Sequence, residues 1–486
     1  MAEQRGLERV GTGVPGLDTV LNGGLFKGGV YVVQGAPGSG KTILGNQMCF
    51  HRASKGDSTV YITLLAESHT RLIAHLRSMD FFRPDLVTTS IYYISAFKVL
   101  EEHGLDGLLH SIQQTVMQRR AGFVVLDGLV SAEEFARSPR DFKKFIHELQ
   151  TVTAMTNCTL VLLSTISPAS RPEHTMVDGL IELGETLVGV QSLRHLQVRK
   201  MRGTSQLRGR HAIEISNAGI EVRPRIETRL REQEESDPAP PSAEPVGFDV
   251  PGLDSMLRGG LPSTSTTIVL GPSGSGKTIL SLQFLGAGAR HDQPGLYIGF
   301  YERPAVLTAK SQRLALGVDE GLARGLLHLY WEAPIEGVLD AVAERVLSAV
   351  HRYGVRRLVF DGLHGFRHHA EYPERTRAVF SALSNELGRH GVTSLFTLET
   401  TDLVGPSLEV PIDGVSALAD NLILLRHVEM RAHLYRLLSI LKIRDHGYDA
   451  AIREFRITDR GLMVADTFDT AEEILTGTAR VVSESE

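Results

Sequence analysis

Two octapeptides carry residues whose types and spacing can do chemistry: Gly35 to Thr42 reads GAPGSGKT, and Gly271 to Thr278 reads GPSGSGKT. Both satisfy G-x-x-x-x-G-K-T, whose glycines let backbone N–H groups turn inward around phosphate oxygens. Gly35, Gly38, Ser39 and Gly40 form the first such loop, and Gly271, Gly274, Ser275 and Gly276 the second. Lys41 and Lys277 are placed to reach β- and γ-phosphates, and Thr42 and Thr278 to ligate Mg2+. The motif predicts two sites for ATP with Mg2+.

Such a site needs a metal-side carboxylate at the end of a neighbouring buried strand. Phe123-Val124-Val125-Leu126 ends in Asp127, and Leu358-Val359-Phe360 ends in Asp361, each followed by Gly-Leu. A strand-end Asp can also merely begin a turn, but here it recurs in both places. Hydrolysis further needs a carboxylate that orients or deprotonates water. Glu67 and Glu302 close the strands that follow each loop's helix and stand 235 residues apart, so they are the candidate catalytic pair; a solvated strand-end Glu is the plainer alternative.

The elements that must position these groups come in duplicate. Val14-Pro15-Gly16-Leu17-Asp18 recurs as Val250-Pro251-Gly252-Leu253-Asp254, and Gly23-Gly24-Leu25 as Gly259-Gly260-Leu261, both 236 residues on, like the two octapeptides. The 486 residues are therefore expected to hold a first domain at 1–226, a linker at 227–245, a second domain at 246–469 and a tail at 470–486 that begins weakly helical. In each copy short, continuously apolar runs alternate with helix-like segments. That pattern predicts an α/β fold with a mostly parallel sheet covered by helices on both faces.

Composition excludes several classes. Apolar residues at 42% and charged residues at 22% are ordinary globular usage, and a net charge of −6 argues against bulk attraction to nucleic acid or anionic membrane. Cys49 and Cys158, the only two cysteines, cannot build a disulfide framework or a Cys-rich zinc site. No run of about 18 apolar residues appears, and the expectation is a cytoplasmic protein.

Further stretches sharpen the reading: Lys200-Met201-Arg202-Gly203-Thr204-Ser205, Lys442-Ile443-Arg444, Ala451-Ile452-Arg453-Glu454-Phe455 and Ile457-Thr458-Asp459-Arg460-Gly461. With the paired loops and opening segments, they make the chain strongly resemble the KaiC family of tandem RecA-like ATPases over nearly its whole length. The resemblance implies a homo-oligomer, a hexameric ring with ATP at subunit boundaries, and an activity in signalling or timing with an unknown protein partner. It also implies that Lys200 and Arg202, and Lys442 and Arg444, reach a neighbour's γ-phosphate; the residues alone show only basic side chains on one face of a strand. Serine/threonine autokinase activity in the second copy is implied as well.

Three departures qualify the resemblance. Paired glutamates are usual after the second strand, whereas this chain has Ala66-Glu67 and Glu302-Arg303. Asp445 and His446 follow the second K-x-R where glycine is usual, and of two adjacent hydroxyl acceptors only Ser416 remains, beside Ala417. Altered, slower hydrolysis and at most single-site phosphorylation, on Ser416, are expected.

Weaker signals remain. His364, His368 and His369 read as a solvated loop rather than a metal site, and Trp331 as core or interface. Arg194, Arg199, Arg202, Arg208 and Arg210 make a local basic stretch that serves nucleotide or subunit contacts, or else touches nucleic acid. The main alternatives are a nucleic-acid-dependent RecA-like motor or recombination mediator, and a nucleotide-dependent scaffold with little catalysis.

Overall fold

The computed structural model describes residues 8–64, 69–165, 173–188, 190–231, 244–333, 338–368, 374–400, 418–430, 433–459, 461–465, 471–472 and 480–481. Two compact units emerge, Met1–Arg229 and Leu230–Glu486.

The first unit is built on nine strands. In chain order these are β1 Val30–Gly35, β2 Ser58–Thr63, β3 Ile91–Ser95, β4 Ala121–Asp127 and β5 Thr159–Ser164. They are followed by β6 Gly179–Val188, β7 Gln191–Met201, β8 Arg210–Ser216 and β9 Gly219–Arg223. Their order across the sheet is β3-β2-β4-β5-β1-β6-β7-β8-β9. The pairs from β3 to β6 are parallel, and those from β6 to β9 antiparallel.

The second unit repeats the plan. Its strands are β10 Thr266–Gly271, β11 Gly295–Gly299, β12 Leu327–Trp331, β13 Arg357–Asp361 and β14 Thr393–Glu399. They continue as β15 Asn421–Met430, β16 His433–Lys442, β17 Arg453–Thr458 and β18 Gly461–Val464. The order, β12-β11-β13-β14-β10-β15-β16-β17-β18, is that of the first sheet. These are tandem RecA-like domains.

Burial explains why the runs were continuous rather than alternating. Every residue of β1, β5, β10 and β13 is buried, because each sheet has covered faces. In the second unit Leu280, Phe284 and Leu285 of the helix Lys277–Arg290 pack with Val269, Tyr297 and Val359 of the sheet. The helix Lys41–Ser54 buries Leu44, Met48 and Cys49 in the same way against Tyr31, Val33 and Val125.

The repeated opening segments also find their reason here. Asp18 accepts hydrogen bonds from the Thr12 N–H and hydroxyl (2.9 and 2.7 Å), and Asp254 from the N–H groups of Phe248 and Val250 (2.8 and 3.1 Å). A Cβ on Gly16 would lie 1.9 Å from the Val222 carbonyl oxygen, and one on Gly252 2.3 Å from that of Val464. Only glycine lets each opening segment close on its unit's last strand.

Two expectations need revision. The helix Ile226–Arg231 takes in the first residues of the segment expected as linker: Ile226 is buried, and Glu227 pairs with Arg225 at 2.8 Å. In the tail, Ala471–Glu472 pairs antiparallel with Arg480–Val481 instead of forming a weak helix. The β-branched Val481 favours strand over helix.

Leu358 is fully buried on β13. Leu358→Ala should cost about 2–5 kcal/mol, read as a lower urea midpoint in the emission of Trp331, the chain's one tryptophan.

Candidate functional site

Each phosphate loop connects the end of a buried strand to a helix. Gly40 and Gly276 precede the helices at φ 98° and φ 103°. A Cβ there would press to 2.8 Å from Ile215 Cδ1 in one unit and 2.7 Å from Phe455 Cε1 in the other. Glycine thus satisfies both the left-handed turn and the close approach of β8 or β17. Lys41 Nζ donates to the carbonyls of Gly35 and Ala36 (2.7 and 2.9 Å), and Lys277 Nζ to those of Gly271 and Pro272 (2.7 and 2.8 Å). Burial lowers both lysine pKa values, opposed by Asp127 in the first unit and by Glu399 and Asp361 in the second.

The strand-end aspartates meet the loop threonines. Thr42 Oγ1 donates to Asp127 Oδ2 at 3.2 Å, and Thr278 Oγ1 to Asp361 Oδ2 at 2.8 Å. Both pairings arise because β4 and β13 end beside the first turn of the helix that follows each loop.

Sequence reasoning missed the residues that hold these carboxylates. Tyr61 OH donates to Asp127 Oδ2 at 2.6 Å, and Tyr297 OH to Asp361 Oδ2 at 2.5 Å. Burial, then the adjacent carboxylate, pushes both phenols well above the ordinary tyrosine range, so they stay protonated donors. Their signal was available: Tyr61 and Tyr297 recur at the same 236-residue spacing as the loops. Thr397 Oγ1 adds a bond to Asp361 Oδ1 at 2.5 Å while accepting one from the Gly362 N–H at 2.8 Å. The corresponding residue of the first unit, opposite Asp127 on β5, is Leu163, whose side chain cannot donate.

In the second unit Asp361 and Thr397 line a cavity of about 530 Å3 with Glu302, Lys310, Glu399 and Arg436. Ser273, Gly274, Gly276, Lys277 and Thr278 give it a phosphate-binding wall, and Asp361 faces Thr278 across it. A triphosphate's charge and a divalent cation's preference for hydroxyl and carboxylate oxygens both fit this lining.

The candidate glutamates differ. Glu302 lies in the cavity, its carboxylate held by Lys310. Glu67 lies outside the described residues. Strand register aligns Thr63 with Gly299, opposite Asp127 and Asp361, at an offset of 236. The inward-facing Leu72 and Leu307 of the following helices stand 235 apart instead, which fits one extra first-unit residue in between.

The K-x-R pairs sit elsewhere. Lys200 Nζ and Arg202 Nη2 both donate to the Thr175 carbonyl (2.8 and 2.9 Å). Lys442 Nζ donates to the Ala419 carbonyl at 2.6 Å, and Arg444 pairs with Asp420 at 2.9 Å. Asp178 and Asp420 accept from the N–H groups of Val30 and Thr266, where β1 and β10 begin. The phosphate loops leave the other ends of those strands, roughly 17 Å away at 3.3 Å per residue. Each K-x-R pair is therefore far from its own unit's loop.

Ser416 and Ala417 lie outside the described residues. Leu363–His368 is a helix, not the loop expected there, and His364 lines the cavity; His369 lies outside the described residues. The apolar Leu363, buried against the sheet, explains the helical turn. Among the described residues no three His, Cys, Asp or Glu side chains group to hold a metal, and no helix is long and apolar enough to cross a membrane. The basic stretch is partly neutralised: Arg199 makes two bonds to Glu182 (3.0 and 3.1 Å), and Arg202 approaches Asp178. His446 turns its ring to the Gly447 carbonyl at 2.9 Å. Trp331 lies at the sheet edge with Arg303 above its ring, 5.0 Å from the centroid.

Fold and site together define a tandem P-loop ATPase of the RecA-like class. The family model "ATPase: KaiC" matches residues 10–227 and 246–468, and the chain belongs to that family. Among its relatives, the circadian clock oscillator protein KaiC of a Picosynechococcus strain is 24% identical, with 97% of this chain and 92% of that protein covered. The protein of that name from Synechococcus elongatus is also 24% identical (98% and 92%), and KaiC 1 of a Synechocystis strain 23% (99% and 94%).

Tyr297→Phe removes one hydrogen bond to a buried charged acceptor and should cost about 1.5–3 kcal/mol. The Trp331 urea midpoint should fall, and the Mg2+ concentration for half-maximal ATP turnover should rise.

Proposed function

We propose that this chain is a ring-forming, Mg2+-dependent ATPase that acts in nucleotide-state-dependent signalling or timing, as the names of its clock-protein relatives suggest. One observation carries the reading. In both units the loop and strand-end Asp share one end of the sheet, while the K-x-R pair lies at the other end. A cation clamp on the γ-phosphate is then complete only when a neighbouring copy supplies it, and one such interface repeated to closure makes a ring, a hexamer in this reading.

Lys41 and Lys277 bind the terminal phosphates, the loop N–H groups surround them, and Thr42, Asp127, Thr278 and Asp361 hold Mg2+. The bound ion supplies charge neutralisation to the β- and γ-phosphates. Glu302, and Glu67 in the first unit, orients the attacking water. The water oxygen bonds to the γ-phosphorus as the bond to the bridging oxygen breaks. The electron pair leaves with ADP, and the water's proton passes to the glutamate. Tyr61 and Tyr297 keep the aspartates in place throughout.

Light scattering should show a monomer without ATP and a ring of about six copies with it. Arg444→Ala should lower second-unit turnover by at least about tenfold. Mixing Arg444→Ala chains with Lys277→Ala chains should restore activity above the sum of the two, since each supplies what the other lacks. A persistent monomer, or no gain on mixing, would remove the trans clamp.

Autophosphorylation belongs to the same reading. Its acceptor is Ser416, four residues before Asp420 in the sequence. Mass spectrometry after incubation with Mg-ATP should find phosphate on Ser416, lost in Lys277→Ala; its absence after long incubation would restrict the second unit to hydrolysis.

A further inference from the structure

The water-orienting glutamate of the second unit is not free to act. Lys310 Nζ lies 2.5 Å from both Oε1 and Oε2 of Glu302. Both side chains are about 70% shielded, at 29% and 28% exposure, and both line the phosphate cavity. The helix Pro304–Arg313 fixes the lysine: Leu307 and Ser311 are buried on one side, and the Ser311 hydroxyl accepts from the Val318 N–H at 2.9 Å. Arg303, the other charge at this strand end, is occupied by the Trp331 ring.

From this geometry we infer that Lys310 is a positioning residue that restrains Glu302 and slows hydrolysis in the second unit. A carboxylate that orients water must present a lone pair to it and then accept its proton. One ammonium bridging both oxygens takes up the lone pairs that would otherwise face the water. The restraint rests on the reading of Glu302 given above.

The first unit has no lysine at the matching position. At the 235-residue offset that levels Glu67 with Glu302, His75 stands in place of Lys310; at 236 it is Ala74. This lysine is thus a further difference between the two sites, beside that of Thr397 and Leu163. A partner or neighbouring copy that shifted the helix Pro304–Arg313 would release Glu302 without touching the nucleotide.

The test uses the full chain carrying Glu67→Gln, so that second-unit turnover dominates. Lys310→Met keeps the side-chain stem and removes the ammonium. It should raise kcat roughly two- to fivefold, the factor an ion pair at a partly exposed site carries, with KM for ATP unchanged. Lys310→Arg, which keeps the pair, should match the parent. Lys310→Gln is the second variant should Met not fold, and should also raise kcat. An unchanged or lower kcat in the Met and Gln variants, or a rise in KM alone, would overturn the restraint and make Lys310 a phosphate ligand or a structural residue. Glu302→Gln separates the two levels. If it leaves turnover intact, the reading of Glu302 fails; if it abolishes turnover while Lys310→Met changes nothing, only the restraint fails.

Discussion

A hydroxyl-to-carboxylate bond joins the two halves of each site. Thr278 and Asp361 are 83 residues apart, and Thr42 and Asp127 are 85 apart, yet each pair meets within hydrogen-bonding distance. For that contact to form, the loop strand must lie inside the sheet, the Asp strand must end level with it, and a helix must start at the glycine between them. Parallel pairing delivers all three, because it brings the C-terminal ends of the strands to one side. The buried tyrosine beneath each aspartate then limits where the carboxylate can turn.

The duplicated plan does not give duplicated chemistry. Asp361 receives hydroxyl donors on both oxygens, from Thr278 and Tyr297 on one and from Thr397 on the other. Where the second unit has Thr397, the first has Leu163 on the same strand position, so the polar ring around the carboxylate is built differently. Two sites with the same loop can thus hold nucleotide on different terms.

Much of this was legible in the sequence. Loop, strand-end Asp and opening segments all recur at nearly one spacing, and the continuous apolar runs fix the parallel sheet. What stayed hidden depends on tertiary neighbours. Tyr61 and Tyr297 look like core aromatics in apolar strands, because nothing local says that a phenol will face a carboxylate. Thr397 and Glu399 end a strand that carries no motif. Lys310 is one basic residue on a helix, and only the fold brings it to Glu302. The helical turn at Leu363–His368 was missed for a related reason: its histidines suggested solvent, while buried Leu363 sets its conformation.

The glycine closure of each opening segment on the last strand has a consequence for biosynthesis. Gly16 packs on Val222 and Gly252 on Val464, so each unit's opening segment and the last strand of its sheet are mutual supports about 210 positions apart. At a synthesis rate of about 5–20 residues per second, the opening segment waits roughly 10–40 s for its partner to leave the ribosome. During that interval the growing unit holds a phosphate loop but lacks the strand that covers it. Arrival of the strand that ends each nine-stranded sheet, rather than formation of the nucleotide loop, is the event that closes each unit.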